Sequence, residues 1–191
     1  GITPAMNSFA IDTLAETHPK TVEEATPKVL SLGEVQRVLQ NLLRERVPIR
    51  DLATILEAIT DVGVVTRDVN ALTEAARASL ARTISGNLAN DNNELTVLTL
   101  DPRLESSLAE RLGLLGGASQ QAIDPEFGKQ LLEKIETACR AAVMSQPVVL
   151  CSSMVRPHLR KLTERFLPEL TVMAHGEVAP NVKLVSMGMV G

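Results

Sequence analysis

The sequence predicts an α/β (α+β) protein in which a helical N-terminal subdomain precedes an α/β subdomain with a mixed, mainly parallel sheet of about four strands. Through residues 31–85, apolar residues recur every three or four positions, which is typical of amphipathic helices. From residue 94 onward, short apolar runs rich in strand-forming residues alternate with helical segments. We therefore divide the chain into a leading helix with its linker, a helical subdomain and an α/β subdomain: residues 1–30, 31–90 and 91–191.

Two helices are predicted in the first quarter of the chain. A short helix fits residues 8–18, because the residue before Pro19 is pushed out of the helical region. A stronger helix starts at Ser31, which has capping-box spacing to Glu34. The apolar positions of this stronger helix fall on one face and are Leu32, Val35, Val38, Leu39, Leu42 and Leu43.

Two more helices complete the predicted helical subdomain. Pro48 separates the first strong helix from a second one at residues 50–59, which Gly63 closes. Thr66 or Asp68 caps the third helix. The aligned apolar positions of this third helix are Leu72, Ala76, Leu80 and Ile84.

The second half of the chain predicts the order β-α-α-β-α-β-β, with strands at residues 94–100, 147–152, 170–174 and 182–189. Asp101-Pro102 and Asp124-Pro125 are helix-start signals, and these helices extend to about residues 115 and 146. A third helix spans residues 156–167, with Leu159, Leu162 and Phe166 facing inward. Helical connections favour parallel pairing, whereas the short link 175–181 fits an antiparallel edge pair.

Composition excludes several classes of function. The net charge of -4 gives no general attraction to nucleic acid or anionic lipid, and an aromatic content of 2% is too low for stacking bases. The three histidines, His18, His158 and His175, have no partner at metal-ligand spacing. Gly113, Gly116 and Gly117 follow a helix instead of preceding one, so they predict a helix cap and no phosphate loop. We expect no cofactor, no metal, no signal peptide and no membrane helix in this stretch.

The two cysteines are expected to be small buried hydrophobes. Cys139 lies on an apolar helical stripe and Cys151 ends an apolar strand. Cys151 with His158 and His175 is the one nucleophile–base arrangement that the sequence allows, and nothing in the sequence supplies a positioned base or an oxyanion site. The prediction is therefore not an enzyme, and a small α/β hydrolase or transferase using Cys151 is the alternative to be tested.

Two charged surfaces are candidates for binding. The segment around Pro48 carries Arg44, Glu45, Arg46, Arg50 and Asp51, and its helix-break-helix pattern permits a helix-turn-helix nucleic-acid binder. Acidic residues on the second helix, Asp51 and Glu57, would repel phosphates, which favours a solvated and ion-paired corner. The last helix has a basic side that is either solvated or docks an acidic partner. Its members are Arg156, Arg160, Lys161 and Arg165, with His158.

Several separated segments resemble the FlhA family of export-gate membrane proteins. The best match is VLQNLLRERVPIRDLATILEAI, and LTVLTLDPRLE and PVVLCSSMVRPHLRKLTERFLPELTVMAHGEV follow in the family's order. The resemblance implies the last two of four cytoplasmic subdomains, with the membrane region and the first two subdomains outside this chain. The amino-acid sequence of these segments favours the flagellar system over the injectisome.

The resemblance also implies a mode of action. Members of the family form rings, typically of nine copies, beneath an export channel, and these rings receive export substrates and their chaperones and contact other export-apparatus proteins. The chain would then be a cytoplasmic part of an inner-membrane protein. The helical subdomain would contribute subunit contacts, with Arg44, Glu45, Arg46, Arg50 and Asp51 as the candidate edge. No chaperone-docking residues carry over, because the family's docking groove lies largely in the subdomains outside this chain.

Overall fold

The structure is a computed structural model that describes Asp12, residues 29–116 and residues 122–191. The chain divides into two compact units, with the boundary between residues 87 and 88. The predicted helix at residues 8–18 and Gly117 lie outside the described residues, apart from Asp12. No helix in the described part of the chain is both long enough and apolar enough to cross a bilayer.

The first unit is helical, as expected. Its helices are α1 (Leu32–Arg44), α2 (Leu52–Gly63), α3 (Val69–Ser79) and α4 (Ala81–Leu88), the last of which ends at the boundary between the units. Its core is aliphatic, because the positions spaced at the helical period turn inward. The buried members include Leu30, Val35, Val38, Leu39, Leu42, Ile55, Leu56, Ile59, Leu72, Ala76, Leu80 and Ile84.

The predicted capping box at the start of α1 is confirmed. The Ser31 hydroxyl accepts from the Glu34 amide at 3.1 Å, and Glu34 Oε1 accepts from the Ser31 amide at 2.9 Å. The predicted inward positions of Leu32 and Leu43 are wrong, because both side chains are exposed. Each lies at an end of α1, where fewer neighbours cover the helix.

The predicted third helix is divided into α3 and α4 at Leu80, which has φ −101° and ψ 19°. The Ser79 hydroxyl donates to the Ala76 carbonyl at 2.6 Å, next to the Leu80 amide that donates to the same carbonyl at 3.2 Å. Such side-chain competition for a helix carbonyl weakens the regular bonding of the turn. Leu80 and Ile84 still point into the core, so the apolar pattern continues across the break.

The second unit has the predicted α/β order. Its elements are β1 (Glu94–Leu100), α5 (Pro102–Arg111), α6 (Pro125–Ala142), β2 (Val148–Cys151), α7 (Arg156–Thr163), β3 (Thr171–Ala174), a 3₁₀ turn (His175–Glu177) and β4 (Lys183–Val190). Asp101 and Asp124 cap α5 and α6 as expected. Gly113 has a φ of 70° and ends α5, with its amide donating to Glu110 and the Leu114 amide donating to Ala109.

The four strands form one sheet in the order β3-β2-β1-β4, and every described strand pair is parallel. The predicted antiparallel pair of the last two strands is therefore wrong. After β3, the chain passes to the opposite edge of the sheet and pairs β4 with β1. The eight residues between β3 and β4 include the 3₁₀ turn His175–Glu177. A link of this length can reach the other edge of the sheet as well as turn back beside β3. Link length alone did not distinguish these two paths.

A register shift interrupts the pairing of β4 with β1 between Val97 and Thr99. Gly188 lies at this bulge with a φ of 152°, which favours glycine. Beneath the sheet, α5, α6 and α7 contribute to a core that contains Leu98, Val149 and Leu159.

Two apolar side chains beyond helix ends are outside this core, and one of them, Phe166, was predicted to face inward. Phe166 is exposed because α7 ends at Thr163, before the helical period can turn residue 166 inward. Val143 follows the end of α6 in the left-handed region, and 87% of it is exposed.

Candidate interaction surfaces

The charged corner, defined as Arg44, Glu45, Arg46, Arg50 and Asp51, follows from how α1 ends. The Arg46 amide donates to the Leu43 carbonyl and the Val47 amide donates to the Leu42 carbonyl, both at 2.9 Å. This bond pattern is a Schellman motif, and it places Arg46 in the left-handed region with φ 62°. Buried Val47 and Leu42 complete the motif with an apolar pair. The turn is therefore fixed while it holds charged side chains in solvent.

The members of the charged corner divide into two groups. Arg44, Arg46 and Arg50 are exposed. Glu45 Oε1 lies 3.7 Å from Nη1 of Arg77, a side chain that is only 2% exposed. Asp51 caps α2, where its carboxylate accepts from the Thr54 amide at 3.3 Å and the Thr54 hydroxyl at 2.7 Å. Three arginines thus face outward, and the two carboxylates also hold the helices that carry them.

An acidic anchor lies at the other end of α1. Glu34 Oε1 accepts from the Ser31 amide and from Arg67 Nη1, each at 2.9 Å. The bond from the Ser31 amide lowers the pKa of the Glu34 carboxyl, and Arg67 lowers it further, while burial acts in the opposite direction. The carboxylate therefore joins α1 to the segment that enters α3.

Arg67 and Arg77 were missed by the sequence argument. A weak signal for Arg77 was present, because it follows Ala76 on the apolar face of α3 and is one of the buried residues of that helix. A charged residue at an inward position predicts a buried partner. Arg67 lies in a connecting segment and gave no periodic signal.

The basic side of α7 divides in the same way. Lys161 and Arg165 are exposed, and His158 is half-buried. Arg156 is 1% exposed and donates from Nη1 to the Val172 carbonyl at 3.2 Å. Arg160 donates from Nη1 to the Leu170 carbonyl at 2.8 Å. Two of the four basic residues therefore bind the protein's own backbone, and Arg156 lies inside the unit.

These two arginines cover the free edge of β3. The Thr171 amide donates to the Pro147 carbonyl, so Thr171 faces β2 and the alternate residues, Leu170 and Val172, direct their backbone groups outward. Those are the two carbonyls that Arg160 and Arg156 occupy.

A carboxylate completes the same edge. Glu177 Oε1 accepts from the Ala174 amide at 3.2 Å, and its Oε2 lies 3.7 Å from Arg156 Nε. Both side chains of this ion pair are buried. The β3 edge is therefore closed by a buried ion pair and a second arginine.

The structure gives little support to chemistry at the cysteines. Cys151 is completely buried, and its thiol donates to the Met173 carbonyl with a sulfur–oxygen distance of 3.6 Å. Burial raises the pKa of the Cys139 thiol, and the Glu136 carboxylate raises it further, so the reactive thiolate is disfavoured. Among the described residues, no group of three potential ligands is arranged to hold a metal.

A cleft of about 240 Å³ opens at the carboxyl ends of β1 and β2. Its lining includes Ala109, Leu115 and Val155, and its polar groups include Glu105 and Ser152. Glu105 Oε1 already accepts from the Ser152 amide at 2.8 Å. The cleft is smaller than the roughly 300–1,000 Å³ typical of small-molecule sites.

The sequence of this chain was compared with protein families and with known proteins. The sequence matches the FHIPEP family over residues 5–183. It is 35% identical over 182 residues to the flagellar biosynthesis protein FlhA of Bacillus subtilis, covering 94% of this chain and 27% of that protein. The chain thus spans about a quarter of the length of this relative.

Two solved structures are similar over nearly the whole chain. CdsV of Chlamydia pneumoniae, in complex with CdsO, has a TM-score of 0.85 at 26% identity, covering 99% of this chain and 56% of that chain. Nonameric SctV-C of EPEC has a TM-score of 0.85 at 26% identity, covering 99% of this chain and 57% of that chain. Because the family match extends from residue 5 to residue 183, this chain belongs to the FHIPEP family.

Proposed function

We propose that this chain is part of the cytoplasmic domain of the export gate of the flagellar type III protein export apparatus. Its role there is docking and ring assembly. The observation that carries the proposal is the 35% identity to a flagellar FlhA over 94% of the chain. The alternative, which the sequence resemblance leaves open, is an injectisome export gate. The relative named as flagellar, FlhA of Bacillus subtilis, is the observation that favours the flagellar system.

Ring assembly is proposed for the intact protein. SctV-C, a protein of the same fold, is nonameric. In this chain, Arg44, Arg46 and Arg50 form an exposed cationic edge on a turn fixed by backbone hydrogen bonds. A turn with a fixed backbone suits a contact between subunits, because little loop ordering is needed on association. Glu45 and Asp51 act in this edge mainly by holding α1, α2 and α3.

A partner-docking role is proposed for the exposed remainder of the basic side of α7. Lys161 and Arg165 are exposed there, Arg160 is half-buried, and Arg156 is excluded by burial. The likeness to CdsV, which forms a complex with CdsO, supports binding of a protein partner. The partners proposed are other export-apparatus proteins, export substrates and their chaperones. We place the chain on the cytoplasmic side of the inner membrane, attached through a region outside residues 1–191.

Two other functions receive less support. A helix-turn-helix contact with nucleic acid would bring Asp51 and Glu57 of the α2 segment towards phosphates, and both residues are exposed. Catalysis at Cys151 would need a thiol that a substrate can reach, and this one is buried. We therefore propose a non-enzymatic protein that acts through its surfaces.

The proposal is tested by reversing the charges of Arg46 and Arg50 to glutamate in the full-length protein. We expect ring assembly and swimming motility to decrease, because like charges would be introduced where opposite ones meet across subunits. Ring assembly is measured by cross-linking in membranes and motility by spreading in soft agar. Arg46 keeps its left-handed backbone in this variant, since glutamate and arginine are both non-glycine residues there.

A double reversal at Lys129 and Lys134 is the matched control. Both lysines are exposed on α6, and their reversal changes the net charge by the same amount. If the Arg46 and Arg50 reversals leave rings and motility at the level of this control, the charged corner is merely solvated. If deletion of the whole gene leaves swimming intact and abolishes injectisome secretion, the flagellar assignment fails.

A further inference from the structure

The two edges of the sheet are treated differently. Arg156 and Glu177 bind outward backbone groups of the four-residue strand β3, and Arg160 binds the Leu170 carbonyl just before it. The opposite edge is β4, which has eight residues and is the longest strand of the sheet. Within residues 29–116 and 122–191, no strand pairs with the outer side of β4. An exposed edge of this length is a template for another strand.

Hydrogen bonds at both ends of β4 identify which residues face outward. The Lys183 amide donates to the Asn93 carbonyl and the Val190 carbonyl accepts from the Asp101 amide, both at 2.8 Å. Lys183 therefore faces the β1 side, and the two-residue period directs the backbone groups of Leu184 and Ser186 outward.

The side chains of β4 are unusually apolar for an exposed edge. The exposed fractions of Leu184, Met187 and Met189 are 41%, 48% and 58%. Lys183 is the one charged residue of the strand and is also exposed. Lysine residues and β-bulges commonly protect an edge strand from pairing with another strand. In β4, Lys183 lies at one end and the bulge at Gly188 lies near the other, whereas Leu184 to Ser186 have regular strand geometry.

We propose that the outer edge of β4 binds an extended segment of another polypeptide as a fifth strand. The segment pairs its main chain with Leu184 and Ser186 and carries apolar side chains at alternate positions. A carboxylate at one end of the segment meets Lys183. Main-chain pairing supplies the affinity, and the apolar positions with the terminal carboxylate supply the selectivity.

A second copy of this chain fits the edge less well. Pairing of β4 with β3 of another copy is blocked, because side chains already occupy the β3 edge. The bulge at Gly188 would also interrupt a long self-pairing.

The test uses the 191-residue chain and a fluorescein-labelled peptide of alternating valine and threonine with one terminal aspartate. Two peptides carry the aspartate at opposite ends, which allows for either strand direction. We expect saturable binding of one of them by fluorescence anisotropy. N-methylation of either all valine or all threonine amides should weaken binding at least tenfold, because one of the two sets lies towards β4. Binding that neither methylation changes would overturn the proposal.

Variants of the edge test the same contact from the protein side. Ser186→Pro removes an outward amide, a change that edge strands tolerate, and should weaken binding at least tenfold, whereas Ser186→Ala should leave it unchanged. Lys183→Glu should weaken binding of the aspartate peptide and restore binding of a peptide with a terminal lysine. If circular dichroism shows that Ser186→Pro does not fold, Leu184→Lys replaces it as the blocked edge. Equal binding by blocked and unblocked chains contradicts the proposal.

Analytical ultracentrifugation tests whether a second copy of this chain occupies the β4 edge instead of another polypeptide. Wild-type chain should sediment as a single species whose size Leu184→Lys does not alter. Dimers that dissociate in this variant would identify a second copy as the occupant and overturn the assignment. Since all measurements use the isolated chain and β4, their failure leaves the test of ring assembly at Arg46 and Arg50 untouched.

Discussion

Three non-glycine residues of the described chain hold a left-handed backbone: Arg46, Asn93 and Val143. Asparagine accepts this conformation readily, and the Schellman motif stabilises it at Arg46. Val143 has neither advantage, because its branched side chain is the least suited to a positive φ and 87% of it is exposed. The strain at this residue is therefore not offset by packing.

Val143→Gly should stabilise the protein by about 0.5–1 kcal/mol, because glycine relieves the left-handed strain by more than it adds unfolded-state entropy. The free energy of unfolding in urea measures the effect. Val143→Ala is the control, since alanine keeps most of the strain and should change stability little. A glycine variant no more stable than the alanine variant would show that the end of α6 carries no strain.

Glu34 makes stability depend on pH. Its folded-state pKa is lowered by the Ser31 amide and by Arg67, so its contribution is fully present above its unfolded pKa of about 4.3. That contribution is lost as the pH falls through the lower folded-state value. Glu34→Gln should lower stability by about 0.5–1 kcal/mol at pH 7, because the amide can still accept from Ser31 and loses the charge that faces Arg67. It should also reduce the loss of unfolding free energy at acidic pH (the acid limb of the stability curve), as measured by urea unfolding at several pH values.

Glu57→Gln is the matched control for this residue. Glu57 is an exposed carboxylate on α2, so its replacement should leave both the stability at pH 7 and the acid limb close to wild type. If both glutamine variants retain the wild-type acid limb, the carboxylate at position 34 does not control it.

At the level of elements, the closure of β3 depends on a buried ion pair. Removing Arg156 leaves Glu177 charged and enclosed, and breaking such a pair typically costs about 3–5 kcal/mol. Arg156→Met should therefore destabilise the chain strongly, and adding Glu177→Gln should recover part of the loss. A double-mutant cycle in urea measures this coupling.

Arg160→Met separates loss of an edge contact from loss of the buried pair. Arg160 is half-buried and binds the Leu170 carbonyl just before β3, so its removal should cost about 1–2 kcal/mol. In the double-mutant cycle described above, additive effects of Arg156→Met and Glu177→Gln on the free energy of unfolding would contradict the coupling. They would mean that the two side chains stabilise β3 independently.

For the whole molecule, periodicity and caps predicted most of the architecture. The capping box at Ser31, the Asp-Pro starts of α5 and α6 and the alternation of strands and helices depend on local interactions, which the sequence displays directly. The position of β4 depends on where a link leads in space. Eight link residues fit either a return beside β3 or a passage to β1, so local signals could not decide between them.

For the candidate surfaces, the sequence predicted which charged residues share a helix or turn. It did not predict which of those side chains are exposed. The sequence showed that Arg156 and Arg160 share a helix with Lys161, and it did not show that two of them bind strand carbonyls. That distinction depends on the free edge of β3, a tertiary feature. In the same way, Phe166 was expected inside because a helix to residue 167 was assumed, and the earlier end of α7 turns it outward.

The pairing of β4 with β1 has a consequence for how the protein is made. The central strand β1 leaves the ribosome first among the four strands, and its partner β4 emerges last. The 82 residues from 101 to 182 are therefore synthesised before the β4 side of β1 can be paired. Apolar residues such as Leu95 and Val97 stay accessible during that interval, so nascent chains that stall before residue 183 should be substrates for chaperones and proteases.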